Sequence, residues 1–556
     1  MSACAPWRPI HWPVRRNLAR PAGPSRRVYA AFGIAAVVGA TVFLIWWLTA
    51  ESRRQEGERA AEAKAAVEKP GAEALVEAGL PRGGTLTGST GTAALSAERL
   101  TGATLVRVNR GTDGVEPWLA ESWTTSPDNL TYTLKLRQGV VSSNGTPLTS
   151  ELALAALAGV QAAGHPLALR AVDPLTLEIR FLQPFAPGLR VLDRVPLAGF
   201  GPFVEKGNGA FVPNPQYWHK APDGSPLPRL DEIVLASGRP GQHDFSELPI
   251  LAEDFEALKK IEQSGKARLF NLGPGLDADA LWFAPGSDGA GASRRSGEAA
   301  KADRPWLTDE KFRLAVSTAV DRREYCKQVF YGACDPISGP VTPANASWFN
   351  PDLPLRRADA QLARAMLAEL GLRDRTGDGI LNDAARRPVR FSLLIRNDVP
   401  SSARAATFIA NTLKGIGVLV DITPVSASVL AARRQKGNYD AIYDRIEMDD
   451  TDPAMNLDFW LSSGTAHVWY GARSGSPADW EHQLDQLIMK NVSTFDRIER
   501  LQAFVDVQKL YHQHMPAIFF GAPHVRIMTS MRTLNATPSP LRPHLLWNAE
   551  ALAALK

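Results

Sequence analysis

The segment Arg445–Pro453, RIEMDDTDP, carries a dense group of acidic side chains. Its four carboxylates, on Glu447, Asp449, Asp450 and Asp452, fall within six residues. Oxygen ligands of this kind can hold a hard metal ion, two carboxylates can perform acid–base catalysis, and one can bind a cation. The simplest alternative is an acidic loop that is only solvated.

Catalysis and metal binding are disfavoured by the sequence pattern. Glu447 and Asp449 are two residues apart and share one face of an extended segment, whereas glycosidases need carboxylates that flank the scissile bond. The sequence contains no Gly-x-Ser-x-Gly, His-Glu-x-x-His or phosphate-binding loop. Successive carboxylates without a spaced His or Glu partner rarely converge on one ion. The sequence therefore predicts no enzyme, no metal site and no cofactor.

Length and composition indicate a globular protein with several lobes. The chain has 556 residues, of which 45% are hydrophobic and 22% charged, so more than one core is expected. The net charge is +4, but residues 1–50 contain six Arg and no acidic residue. The rest of the chain is therefore slightly acidic and lacks the basic surface of a nucleic-acid-binding protein.

The N-terminal region predicts a membrane anchor. Residues 28–50 are uncharged and long enough to span a bilayer, and the basic segment 1–27 places the N-terminus in the cytoplasm. A cleavable signal peptide is the alternative, although the apolar run is long and residues 51–60 offer no small-x-small cleavage site. The Ala/Glu-rich residues 51–82 predict a stalk that precedes the body.

Two cysteines in the body have two interpretations. Cys326 and Cys334 are eight residues apart, and outside the cytoplasm they could form a disulfide. The alternative is two separate buried thiols. Two Cys without a nearby His pattern make a poor zinc site.

Periodicity predicts alternating strands and helices. Alternation over Leu130–Arg137 predicts a strand, and Asp359–Leu370 predicts a helix with Leu362 and Met366 on one face and Gly371 just past its end.

Further along the chain, the pattern is that of a βαβ unit. A strand at 391–395, a helix near Ser402–Lys414 and a strand at 418–422 follow one another. A long helix, Asp496–His514, precedes a buried strand, Ala517–Phe520. The fold class is therefore α/β, or mixed α+β.

The stretch Asp374–Asp383, DRTGDGILND, begins like a calcium-binding loop. Position 12, counted from Asp374, is Ala385, where an EF-hand requires a bidentate Glu. A strand follows instead of a second helix. We therefore predict a plain turn.

Several stretches, in the same order, resemble one known family. Glu116–Glu151 contains LAESW, LTYTLKLRQGV and NGTPLTSE; Gly199–Leu235 contains GFGPF, NPQYW and LDEI; and Thr308–Gly332 is a helix ahead of a Tyr-Gly loop. Together they resemble the family 5 extracytoplasmic solute-binding proteins, which are the oligopeptide, dipeptide and nickel receptors of ABC importers. The similarity extends from about Gly83 to Phe520.

This resemblance implies a periplasmic-binding-protein type II-like fold. Two lobes and an extra third domain would close on a ligand by hinge motion. The expected boundaries are lobe I at roughly 83–105, 188–275 and 516–556, the extra domain at roughly 106–187, and lobe II at roughly 276–515.

The resemblance also gives the acidic segment a role. In peptide-binding members, an Asp four residues before the Pro of this segment binds the N-terminal ammonium of the peptide, and counting back from Pro453 gives Asp449. An ionised carboxylate compensates a cation for the hydration that it loses in a closed cleft. Asp452 would then cap the turn before Pro453.

The segment also departs from the family pattern. Some members have Trp three residues before this Asp, where this chain has Ile446, and Arg445 precedes it. The pocket is therefore expected to have a different shape and charge. We take Asp449, Arg445, Ile446 and Trp460 as candidate ligand contacts, with packing in the core as the alternative for Trp460.

These observations predict a membrane-tethered receptor with its body in the periplasm or extracytoplasmic space. It would bind a peptide or another small amine-bearing solute and deliver it to the permease and ATPase subunits of an ABC importer. The alternative is a tethered sensor or scaffold that has lost transport.

Overall fold

A computed structural model gives the structure of the protein at residues 79–90, 93–158, 160–162, 165–284, 304–468 and 478–555. The predicted basic segment 1–27, the predicted transmembrane helix 28–50 and the predicted stalk up to residue 78 lie outside these described residues. Among the residues that are described, no helix has both the length and the apolar composition needed to cross a bilayer.

Short strands alternate with turns through the first half of the body and with longer helices through the second. The strands are β1 (Thr85–Ser89), β2 (Gly102–Ala103), β3 (Val106–Val108), β4 (Val115–Pro117), β5 (Ala120–Thr125), β6 (Thr131–Leu136), β7 (Gln161–Ala162), β8 (His165–Asp173), β9 (Thr176–Phe181), β10 (Leu197–Ala198), β11 (Phe203–Gly207), β12 (Ala210–Pro213), β13 (Glu232–Ala236), β14 (Phe245–Ser246), β15 (Ala267–Pro274), β16 (Ala278–Phe283), β17 (Cys334–Pro336), β18 (Arg390–Arg396), β19 (Leu419–Val425), β20 (Ala441–Ile446), β21 (Ile518–Ser530), β22 (Thr533–Leu534) and β23 (Ala553–Ala554).

Most of the long helices lie in the second half of the chain. The α-helices are α1 (Ala93–Thr101), α2 (Ser150–Leu157), α3 (Phe255–Gln263), α4 (Glu310–Ala319), α5 (Arg322–Phe330), α6 (Ala360–Glu369), α7 (Pro400–Lys414), α8 (Ala427–Gln435), α9 (Leu457–Trp460), α10 (Asp479–Ser493) and α11 (Arg497–His514). Short 3₁₀ helices occur at Gly188–Arg194, Ala252–Asp254, Pro305–Thr308, Pro453–Met455 and Leu546–Ala551.

One 12-stranded sheet runs through the body, with its main path in the order β11-β12-β13-β1-β14-β21-β16-β20-β18-β19. Strand β21 belongs to both halves of this sheet. Its first part pairs with β16 and β17, and its second part pairs with β15 and β14. The chain also crosses from one half of the sheet to the other between the consecutive strands β15, which pairs with the second part of β21, and β16, which pairs with the first part. The centre of the sheet is therefore where a hinge between two lobes is expected.

Most strands of the large sheet can be assigned to one of the predicted lobe ranges. Strands β1 and β11–β15 fall within the ranges predicted for lobe I, and β16–β20 fall within lobe II. The extra-domain range holds a separate five-stranded sheet, in the order β5-β6-β9-β8-β7. The exact domain boundaries stay a prediction.

The mixed α/β class and most of the predicted elements are confirmed. The strand predicted at Leu130–Arg137 is β6, with alternate side chains buried, and the helix predicted at Asp359–Leu370 is α6. Gly371 follows α6 with a positive φ of 76°, as a helix C-terminus favours. The predicted βαβ unit is β18, α7 and β19, and its two strands are parallel.

Two local predictions were wrong in detail. The strand predicted at Ala517–Phe520 continues to Ser530, because its second part pairs with β15. Helix α6 buries Ala363 and Leu367 and leaves Leu362 47% exposed. Met366, on the predicted face, is partly buried against the core, so the buried stripe is rotated towards Ala363 and Leu367 where α6 packs on α4.

The loop that begins like a calcium site is a turn, as predicted. The Asp374 carboxylate accepts hydrogen bonds from the backbone N–H groups of Thr376, Gly377 and Gly379, at 3.1, 2.7 and 2.8 Å. These bonds hold the pKa of Asp374 below its ordinary value. The Asp374 carboxylate therefore stabilises the backbone of the turn in which it lies.

Of the two interpretations of the cysteines, the structure has the disulfide. Cys326 on α5 is bonded to Cys334 on β17. Gly521 of β21 packs directly against this bond, so a Cβ added at Gly521 would overlap Cys334 Sγ and crowd Cys326 Sγ. The glycine is therefore required by close packing against the disulfide.

We predict that Gly521→Ala lowers the free energy of unfolding by about 1–3 kcal/mol, because it overpacks this contact. Replacing both cysteines by Ala should remove most of that difference. Gly339→Ala, where an added Cβ meets open space, is the control. Urea unfolding measures the effect, and an equal loss with and without the cysteines would contradict the prediction.

Candidate ligand-binding site

The acidic segment Glu447–Pro453 begins directly after β20. Strand β20 is parallel to β18, and β18 is parallel to β19, so these strands end at the same edge of the sheet, at Ile446, Arg396 and Val425. In open α/β sheets, ligands bind outside the carboxyl ends of parallel strands. The fold therefore places the acidic segment where a ligand site is expected.

Two residues of the segment face inward and join a cluster that we call the Arg190 clasp (Asp113, Arg190, Asp450 and Thr451). Arg190 Nε donates to Asp450 Oδ1 at 2.7 Å, and Arg190 Nη2 donates to Asp113 Oδ1 at 2.7 Å. Nη2 also donates to Thr451 Oγ1 at 2.8 Å, and this hydroxyl donates to Asp113 Oδ2 at 2.6 Å. Arg190 and Asp450 are 260 residues apart in sequence. The clasp therefore connects the ranges predicted for the extra domain, lobe I and lobe II.

Charge pairing opposes the cost of burial inside the clasp. Burial lowers the pKa of Arg190, but the Asp450 and Asp113 carboxylates raise it more, so the pKa lies above its ordinary value. Burial raises the pKa of Asp450, and Arg190 offsets this only in part. Removal of one partner would leave a buried charge without compensation.

Asp452 is a structural residue, as predicted. Its Oδ1 accepts a hydrogen bond from the backbone N–H of Ala454 at 3.0 Å and another from Arg500 Nη2 at 2.7 Å. Its own backbone N–H donates to Asp450 Oδ1 at 2.9 Å. The turn before Pro453 is therefore fixed by buried contacts on both sides.

The other two carboxylates, on Glu447 and Asp449, face solvent. The Asp449 side chain is 81% exposed, and its Oδ1 lies 4.0 Å from Arg542 Nη2. An exposed pair at this separation contributes little to stability. The segment is therefore not a uniformly solvated loop, and the Asp449 carboxylate stays accessible to a cation from solution.

Arg542 is a site residue that the sequence did not indicate. Its Nη1 and Nη2 donate to the two carboxylate oxygens of Asp277 at 2.8 and 3.1 Å, and Nη2 also donates to Met448 O at 3.2 Å. Burial lowers its pKa, but Asp277 and then Glu447 and Asp449 raise it above the ordinary value. Because Asp277 is 265 residues away, no local pattern could have indicated this pair.

Arg445, a predicted ligand contact, is bound within the protein. Its Nε donates to Asp279 Oδ1 at 2.8 Å. The other oxygen of Asp279 accepts the hydroxyls of Tyr443 at 2.9 Å and Tyr325 at 3.2 Å. Arg445 thus neutralises a buried carboxylate, and 35% of its side chain is exposed. A ligand contact through that exposed part stays a prediction.

Ile446 and Trp460, the other two candidates, are buried at 6% and 2% exposure. Trp460 packs edge-on against Phe504 with ring centroids 5.1 Å apart. This contact agrees with the alternative interpretation, in which Trp460 belongs to the core. Its indole also lines a small cavity next to Asp450. For both residues, contact with a ligand stays a prediction.

Within the described ranges, no group of three or more His, Cys, Asp or Glu side chains is arranged to hold a metal ion. Asp449 has an exposed carboxylate on a segment that is held by the buried contacts of Asp450 and Asp452, and this carboxylate can bind a cationic group. A bound cation would share it with Arg542, whose Nη2 lies 4.0 Å from Asp449 Oδ1.

The sequence matches the family model described as bacterial extracellular solute-binding proteins, family 5, over residues 114–467, which is more than half of the chain. It is 21% identical over 449 residues to the probable D,D-dipeptide-binding periplasmic protein DdpA of Escherichia coli, covering 72% of this chain and 78% of that protein. It is 23% identical over 473 residues to the periplasmic alpha-galactoside-binding protein of Rhizobium meliloti, covering 72% of this chain and 68% of that protein.

A solved structure has the same fold. NikA from Brucella suis, in complex with Fe(III)-EDTA, superposes with a TM-score of 0.69 at 20% identity and covers 85% of this chain and 100% of that chain. At this identity the likeness concerns the fold alone.

We predict that Arg190→Met lowers the free energy of unfolding by about 3 kcal/mol or more, because it leaves the buried Asp450 carboxylate and the partly buried Asp113 carboxylate without their counter-charge. Arg180→Met, which removes an exposed pair with Asp128, is the control and should cost less than about 1 kcal/mol. Urea unfolding of both variants makes the comparison. Equal losses would show that the clasp has no special role.

Proposed function

The chain belongs to the bacterial extracellular solute-binding proteins of family 5, and we therefore propose that it is the membrane-anchored solute receptor of an ABC importer. Members of this family are binding receptors and not enzymes. The receptor would bind its solute between the two lobes and deliver it to the permease and ATPase subunits. The solute would be a peptide or another small molecule that carries an amine.

One observation carries this proposal. Asp449 is an exposed carboxylate at the carboxyl edge of the parallel strands, on a segment whose neighbouring residues are held by the Arg190 clasp and by Arg500. A binding group that is already fixed loses little conformational freedom when a ligand arrives. Closure of the lobes would also remove water from the ion pair and strengthen it.

The class of ligand rests on this carboxylate and not on the relatives. Their names refer to a D,D-dipeptide, an alpha-galactoside and Fe(III)-EDTA, which differ in charge and chemistry. Of these, a peptide has an ammonium group that an aspartate binds directly. The chain-specific side chains at Arg445 and Ile446 would then shape the rest of the pocket.

A tethered sensor or scaffold without transport is the second candidate. It is favoured by Arg542, whose guanidinium is held by Asp277 and lies beside Asp449. This internal cation partly satisfies the carboxylate without a solute. A receptor must displace or share this cation, whereas a scaffold need not.

We predict that Asp449→Asn weakens the binding of free tripeptides by about 10- to 100-fold, because a charge-assisted hydrogen bond to the ammonium is lost. Thermal shift against a tripeptide pool would identify ligands, and calorimetry would then measure their affinities.

Glu447→Gln is the matched control, since Glu447 is also exposed and acidic but lies two residues from the predicted position. It should change affinity less than threefold. N-acetylated forms of the same peptides should bind the wild-type chain and the Asp449→Asn chain equally weakly. Tripeptides that bind the Asp449→Asn chain as well as the wild type would exclude Asp449 as the amine site.

A further inference from the structure

A second cavity, of about 620 Å³, lies in the range predicted for lobe II and contains no residue of the acidic segment. Its walls are residues 336–341, residues 349–355 and one side chain of α11. The lining is mainly apolar and includes Ile337, Phe349, Leu353 and Leu355. Phe349, Leu353 and Leu355 are partly exposed, so the cavity opens to the surface.

Basic groups adjoin these walls. Arg356 directly follows Leu355, and its Nη2 donates to His512 O at 3.2 Å. His512 is one helical turn beyond Gln508, the α11 residue in the lining, and it is hydrogen-bonded to the backbone of Ser338. The Nε of Arg356, the Oγ of Ser338 and the Nδ1 of His512 are all buried without a hydrogen-bond partner. Three polar groups near the pocket are therefore unsatisfied.

A third basic group, Arg322, lies beneath them. Its guanidinium is fully buried and donates only to neutral oxygens, which are Ile337 O, Phe519 O and the carbonyl and hydroxyl of Ser317. Burial lowers its pKa to about 10, so it remains charged at pH 7. Burial, with Arg356 and Arg322 nearby, lowers the pKa of His512 and keeps that ring neutral.

The described part of the chain supplies no carboxylate in an ion pair with Arg322 or Arg356. Three other buried arginines do form ion pairs: Arg190, Arg107 and Arg500 each have a carboxylate oxygen within 2.8 Å. Asp321 interacts with Arg322 only at longer range, without an ion pair. The region around this cavity therefore has a net positive charge beside an apolar space, which is the complement of a molecule with one anionic end and a hydrocarbon body.

We propose that this cavity binds a small amphipathic carboxylate. The carboxylate would accept hydrogen bonds from Arg356 and from the Ser338 hydroxyl, and the hydrocarbon part would contact Ile337, Phe349 and Leu353. Arg322 adds positive potential from below, and its own donors stay engaged. This inference does not depend on the solute that binds at Asp449 or on transport.

The test is calorimetric titration of octanoate into the full chain held in lipid nanodiscs, with empty nanodiscs subtracted. The wild type should bind one octanoate, and Arg356→Gln should weaken binding at least about tenfold. Arg357→Gln is the matched control, because Arg357 is the next residue and is exposed, whereas Arg356 is partly buried and bonded to His512 beside the cavity. It should bind as the wild type does.

Two further measurements make the outcome decisive. Leu353→Trp, which fills the cavity, should abolish octanoate binding, while Asp449→Asn should leave it unchanged. Octanol and octylamine, with the same chain but no negative charge, should bind at least tenfold more weakly than octanoate. No saturable octanoate binding, equal affinity in the Arg356→Gln chain, or octanol bound as tightly as octanoate would each overturn the proposal.

Discussion

The candidate site depends on the neutralisation of one buried cation, Arg190. The Arg190 guanidinium is removed from water, and its charge is compensated by the carboxylates of Asp113 and Asp450, which are far apart in sequence. Once Asp450 is drawn inward, the backbone before it must follow. Asp449 lies between the buried Met448 and the buried carboxylate of Asp450, and its side chain therefore points to solvent. The exposure of the ligand-binding candidate is thus a consequence of its neighbour's burial.

Arginine–carboxylate pairs also join other segments of the body. Arg107 binds Glu116 and Glu550, Arg500 binds Asp452, and Arg542 binds Asp277. Such pairs contribute less to net stability than their number suggests, because desolvation offsets most of the attraction. What they define is position. Arg107 and Glu116 face each other on the paired strands β3 and β4, whereas the pairs with Glu550, Asp452 and Asp277 each require a particular geometry between segments that are not paired in a sheet. A receptor that closes on a ligand needs this precision at the edge of its cleft.

Local elements could be predicted from the sequence, and the contacts between them could not. Strand β6, helix α6 and the βαβ unit follow from periodicity and end signals, which act over a few residues. The second half of β21 was missed because its pairing partner, β15, lies in the other half of the sheet. Asp449 was identified as a candidate because the family resemblance places the ligand-binding Asp four residues before Pro453. Its cationic neighbour Arg542 carries no local signal, since its position comes from a salt bridge with Asp277.

The proposed function requires that this chain hold a small amine-bearing solute. Native mass spectrometry of the full chain, released gently from membranes and then denatured, is the most direct test. We expect a complex heavier than the bare chain by the mass of a small solute, and a released compound that reacts with an amine-specific reagent. A chain of the same mass before and after denaturation, which also gains no mass in a pool of short peptides, would contradict it.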